Sequence, residues 1–307
     1  ARQPQDAGMV AQMMSARAKV LSKAEPAVLQ QWVQLTQAPE FAAKTAGQRA
    51  GGWYLAALAN SQLGRNDAMQ AALDQLGALV QGHPDATRQA GLLRADLALA
   101  NRTPDAALAA LSKLAGAARS NSQAPVARQT TTVSNVATGL VNEAVISRGE
   151  DKSLRISDMD ANAPLAMPTN PAAGLSPAMG GLDRAVAILD AQALAQLPSA
   201  ALAQHADVLR NASNALQSLT AQSPKDAAAW QALATAFRLQ GQPLRAIRAE
   251  AEARSAQYDY AAAVDRLRAG QDMARSSQNR NDYYEASIID TRLREMQSLA
   301  KEQAARK

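Results

Sequence analysis

Apolar residues recur every three or four positions over most of this chain, and the recurrence is interrupted at prolines and glycines. From Ala7 to Leu35 the positions Met9, Val10, Met13, Ala16, Val20, Leu21, Val28, Leu29 and Val33 mark amphipathic helix, with Glu25-Pro26 opening a second one. The pattern predicts a helix pair. In "QRAGGWYLAALANSQLG" and the following "RNDAMQAALDQLGALVQGHP", Trp53, Ala56, Ala57 and Leu63 form one stripe. Gly64 breaks it, Ala68, Ala72, Leu73, Leu76 and Leu79 form the next, and His83-Pro84 closes the unit. A third pair runs through "DATRQAGLLRADLALAN" and "TPDAALAALSKLAGAARS", with Thr103 placed as an N-cap and Pro104 at the first helical position, where its missing N–H costs nothing.

Three helix–turn–helix units of similar length in a row point to a solenoid, because one such unit cannot bury its apolar face alone and must stack on its neighbours. The predicted fold is all-α. A helical repeat block spans 1–119, and then the pattern stops. Residues 120–181 hold no aromatic residue but many Ser, Thr, Asn and Pro, a composition expected of a linker or loose loop with one short helix near Val136–Ile146. A second block, 182–307, begins with "LDRAVAILDAQALAQL" and continues after Pro198-Ser199 with "AALAQHADVLRNASNALQSLTAQSP".

The most regular unit is "WQALATAFRLQGQPLRAIRAEAEAR". Counted from Ala227, the residues Trp230, Leu233, Ala234, Phe237, Gly241, Ala246 and Ala253 fall where a tetratricopeptide repeat places Trp, Leu, a small residue, an aromatic, a turn, Ala and Ala. Small residues at 234, 246 and 253 let two helices cross closely, while Trp230 and Phe237 fill the space where they diverge. After Gln257 comes one further helix. A long one then carries an expected inner stripe of Tyr284, Ile288, Leu293, Met296 and Leu299, as suits a helix capping the array.

Composition narrows the function. Hydrophobic residues make up 47% of the 307, yet aromatics only 3%, which suits close-packed Ala/Leu helices better than sheets. With no cysteine, disulfides, thiolate metal sites and thiol nucleophiles are excluded. The 32 basic and 27 acidic residues are interleaved, without the clustered positive face that nucleic acid requires. No apolar run is long enough to span a bilayer. The chain opens on "ARQPQDAG" rather than methionine, as expected of a mature or excised piece whose export signal lies upstream.

Candidate chemistry is sparse. His83 and His205 are far apart, and neither has a ligand-type neighbour one helical turn away. "DMDAN" at Asp158–Asn162 starts like a calcium loop but continues with Ala163 and Thr169 where glycine and an acid are needed. Phosphate-loop, dinucleotide and nucleophile-elbow patterns do not occur, and Glu250 and Glu252 alternate with Arg248 and Arg254 as on a solvated helix. The expectation is a non-enzyme without metal or cofactor. What remains is a surface: the concave face of a solenoid is a groove for peptides. Its lining is expected to include Gln231, Thr235 and Arg238 in the most regular unit, and Tyr54, Leu58, Ser61 and Gln62 in the Trp53 unit.

Over "LRAIRAEAEARSAQYDYAAAVDRLRAGQDMA" and "YYEASIIDTRLREMQSL" the chain resembles the C-terminal end of bacterial periplasmic HExxH zinc metalloproteases, relatives of the beta-barrel assembly-enhancing protease family. The resemblance covers about residues 225–307 and, more faintly, "MVAQMMSARAKVL" to Ala118. It implies a periplasmic tetratricopeptide array that recruits unfolded or assembling outer-membrane proteins, contacts the barrel assembly machinery and holds substrate near a protease domain. The chain itself has no HExxH, so no catalytic residue carries over, and zinc is expected only in a protease domain upstream of Ala1. The alternative is a stand-alone tetratricopeptide scaffold or assembly factor with no protease attached.

Overall fold

The computed structural model describes residues 4–21, 24–122, 180–276 and 280–306, and these are helical apart from turns. The predicted linker helix near Val136–Ile146 and the loop at Asp158–Asn162 lie outside the described residues. The helices are α1 (Pro4–Leu21), α2 (Pro26–Gln34), α3 (Ala46–Gln62), α4 (Asn66–Leu79), α5 (Pro84–Ala100), α6 (Pro104–Ser122), α7 (Gly180–Gln196) and α8 (Ser199–Leu202). They continue with α9 (Ala206–Gln222), α10 (Ala227–Leu239), α11 (Pro243–Ala256), α12 (Tyr260–Ser276) and α13 (Arg280–Ala305). Short 3₁₀ turns stand at Pro39–Phe41 and Ala203–His205, the latter interrupting the single helical run expected after Pro198.

Helices pack chiefly on their neighbours in the chain. The pairs α3/α4, α5/α6, α7/α9, α10/α11 and α12/α13 form hairpins, and each second helix leans on the first helix of the next pair. One turn geometry is reused after α3, α5, α10 and α11. Gly64, Arg102, Gly241 and Tyr258 have φ values of 69°, 56°, 68° and 62°, and the next residue's N–H reaches back to Asn60, Ala98, Phe237 and Arg254. This is a left-handed helix stop that glycine takes without strain. Two of the four positions signal it with Gly; Arg102 and Tyr258 adopt it under tertiary constraint. Thr103 follows one such stop, and its hydroxyl donates to the Ala98 carbonyl at 2.9 Å, tying off the end of α5.

The two blocks are directly stacked. α6 packs on α7, and one apolar core crosses the junction, joining Leu99, Leu108, Leu111 and Leu114 to Leu194 and Leu209. Gln196 Nε2 also donates to the Leu99 carbonyl at 3.2 Å. The most regular unit behaves as its residue spacing predicts: Ala234, Ala246 and Ala253 are fully buried at the α10/α11 crossing, and Phe237 is buried beside them. Trp230 is only half-buried, with its indole N–H donating to the Pro224 carbonyl at 2.9 Å.

Two expectations are corrected. The first 35 residues do not pack as a helix hairpin, because α1 rests on α3 and α5 while α2 rests chiefly on α3 through Leu29, Val33 and Ala59. In α13 the buried stripe is Glu285, Ile289, Leu293 and Met296, whereas Tyr284 and Ile288 are 72% and 42% exposed. Ile289 packs against Gly270 of α12, where a Cβ would stand 3.1 Å from it and 3.2 Å from Ile247. Glu285 is drawn inward to ion-pair with Arg248, with Arg245 at 3.9 Å. Removing that carboxylate strands a half-buried guanidinium, so Glu285→Ala is expected to lower stability by about 1–2 kcal/mol in urea unfolding.

Candidate protein-binding face

First helices of consecutive hairpins touch one another at α3/α5, α5/α7 and α7/α10. On the first-helix side, α3 and α5 barely touch each other, and α1 lies across both. The sequence explains the seat. α1 presents Met9, Met13, Ala16 and Val20 on one face, all buried. Opposite them α3 offers Gly47 and Gly51 one turn apart, where a Cβ on Gly51 would meet the Gln12 carbonyl oxygen at 3.1 Å. A side chain at 51 would have to push the two helices apart by a few tenths of an ångström, whereas one at 47 would meet α1 at ordinary contact distance. One polar tie completes the dock: Arg17 of α1 donates to the Tyr54 hydroxyl at 3.3 Å and pairs with Asp96 of α5 at 3.0 Å. Burial raises the pKa of the Tyr54 hydroxyl, keeping it neutral, while its hydrogen bond from Arg17 acts against that rise.

The predicted groove residues of the Trp53 unit therefore divide. Tyr54 is 1% exposed, a core residue beneath α1, which corrects its assignment to an open groove. Leu58 is half-buried against the same core, Ser61 is half-buried and Gln62 is exposed. The stripe reading placed α3 between one neighbour and water, but α1, α2 and α4 all surround it, so both faces are packed. The Gly47/Gly51 spacing was the signal that could have revealed this.

Gln231 and Arg238 are exposed and Thr235 half-buried along one edge of α10. Arg238 donates to the Thr235 hydroxyl at 3.3 Å and pairs with Glu250 of α11 at 2.9 Å, and Arg266 of α12 approaches the same carboxylate at 3.6 Å. Glu250 is thus a shared acceptor between three helices, and Glu252 likewise holds Arg292 of α13. Neither is the solvated same-helix partner that the alternation of charges suggested. Two guanidinium groups around one carboxylate leave this stretch of the face net positive, with N–H donors available to a partner's carboxylates or carbonyls.

Two clefts stand in equivalent positions, each between the second helices of consecutive hairpins. One, of about 540 Å³, lies between α4, α5 and α6, and there Arg94 pairs with Asp74 at 2.7 Å. The other, of about 320 Å³, lies between α6, α7 and α9 and has Asp190 in its lining. Burial alone pushes the Asp190 carboxyl up to about 7. Its folded pKa exceeds the unfolded one, so stability falls as pH rises from about 4 through 7. Asp226 acts in the opposite sense: its hydrogen bond from Arg184 lowers its pKa, a contribution present above about pH 4 and lost below. Asp190→Asn is expected to raise stability by about 2 kcal/mol at pH 8 and by almost nothing at pH 4, the full shift being discounted for the open side of the cleft. Urea midpoints at the two pH values check it; an equal gain at both would contradict the assignment.

Among the described residues, no group of three or more metal-ligating side chains converges, and no helix is long and apolar enough to cross a membrane. His83 stands at the start of α5 and His205 in a 3₁₀ turn of the other block. Scanned against protein-family models the chain gives no match, and no curated protein matches it at a significant level.

Proposed function

We propose that this chain is a non-catalytic protein-binding scaffold of the tetratricopeptide type, whose first-helix side takes amphipathic segments of other polypeptides. The observation that carries this reading is α1. An amphipathic helix with apolar residues at three- and four-residue spacing already sits across α3 and α5 in the manner of a helix in a groove. Further along, the same side of α10 presents Gln231, Thr235 and Arg238 with no helix of the described chain laid over them. The resemblance of residues 225–307 to the tail of periplasmic HExxH metalloproteases supplies the clients: unfolded or assembling outer-membrane proteins, held near a protease domain or the barrel assembly machinery. In this reading the chain contributes recognition and no bond-breaking step.

The test is a photo-crosslinking residue at Gln231, with the exposed Glu302 near the end of α13 as control. Mixed with a urea-diluted outer-membrane polypeptide, the Gln231 chain should give adducts and the Glu302 chain few. Equal yields from both positions, or none from Gln231, would contradict the reading.

A further inference from the structure

The two second-helix clefts are built alike but differ in charge. Asp190 occupies the place in α7 that Arg94 occupies in α5, and Ser112 the place in α6 that Asp74 occupies in α4, counted from each helix start. In the first cleft the residues at these two places neutralise each other as an ion pair. In the second, the Ser112 hydroxyl is turned away to the Ala109 carbonyl at 3.0 Å. The basic side chains described on the walls are committed elsewhere: Arg184 to Asp226 and Arg210 to Asp207, while Lys113 lines the other cleft. Among the described residues Asp190 has no cationic partner, and it lies amid Leu108, Leu111, Val186, Val208 and Ala215, with Asn211 as a further polar group.

An apolar trough ending in one unpaired carboxylate is complementary to a flexible methylene stem that ends in a point cation. We propose that the cleft between α6, α7 and α9 binds a lysine side chain presented by an extended partner polypeptide, its methylenes on the apolar walls and its ammonium on the Asp190 carboxylate. The site shares no residue with the seat of α1 and does not depend on what that seat binds. Since ammonium binding requires the ionised carboxylate, affinity should rise with pH through neutrality.

The test uses the full chain and amide NMR. n-Pentylammonium, the side-chain probe, should shift α6, α7 and α9 resonances around the cleft, saturably and at least about tenfold more tightly than n-pentanol. Its affinity should fall roughly tenfold from pH 8 to pH 6. The blocked tripeptide acetyl-Ala-Lys-Ala-amide should bind the same resonances. Asp190→Asn, which removes a charge that burial disfavours and so keeps the fold, should abolish both the preference for amine over alcohol and the pH dependence. Equal binding of amine and alcohol, an unchanged preference in the variant, or exclusion of the tripeptide while the amine binds would each overturn the proposal.

Discussion

Phe237→Ala is expected to cost about 3–5 kcal/mol, because it empties a fully enclosed site at the α10/α11 crossing. The ring is 2% exposed, wedged among Ala229, Ala232, Leu233 and Ala246, and the Arg245 guanidinium lies 4.6 Å above it. The alanines around it have no rotamers with which to close the void. Trp230, its companion in the repeat pattern, is half-buried and its indole N–H reaches only a turn carbonyl, so Trp230→Ala should cost about 1–2 kcal/mol. Urea unfolding of the two variants checks the order. A larger loss at 230 than at 237 would show that the packing of the unit has been misassigned.

Gly51→Leu is expected to lift α1 from its seat while leaving α3 intact. A Cβ on residue 51 would lie 3.0–3.1 Å from the Cβ and carbonyl oxygen of Gln12, so a branched side chain there has no room unless α1 moves. Within α3 itself the change is favourable, since leucine suits a helix interior better than glycine by about 1 kcal/mol. The strain at the interface amounts to about 2–3 kcal/mol. Hydrogen exchange in α1 should therefore quicken by one to two orders of magnitude, with little change in α10–α13. Uniform acceleration across the chain would mean that α1 is an integral part of the core and not a docked occupant.

These two sites also show how far the sequence could be read. Helix positions followed from apolar spacing and from Pro and Gly punctuation, and the α10/α11 unit followed in detail because its small and large residues each had one packing role. Rotation and partnership were less legible. Tyr54 sits at a spacing compatible with a groove face, but a helix more than 30 residues earlier in the chain covers it, and spacing within α3 carries no trace of that helix. Only the first two positions of the α13 stripe moved by one residue, with Ile289 packed beside Gly270 of another helix, while Leu293 and Met296 stayed in place. Glu250 and Glu252 looked solvated because their guanidinium partners lie on helices other than their own. Local periodicity specifies an element; the partner that covers it is written elsewhere in the chain.

The claim that the first-helix side is a groove for amphipathic helices is tested most directly by supplying α1 in trans. In a full chain carrying Met9→Asp and Met13→Asp, two carboxylates replace buried side chains and α1 should vacate the groove without altering it. A fluorescent peptide of the Pro4–Leu21 sequence is then titrated into this variant and into the unaltered chain. The account predicts saturable binding to the variant, at least about tenfold weaker binding to the unaltered chain whose groove is filled, and loss of binding when Gly51→Leu is added. Failure of the peptide to bind the variant, or binding that Gly51→Leu leaves unchanged, would contradict it.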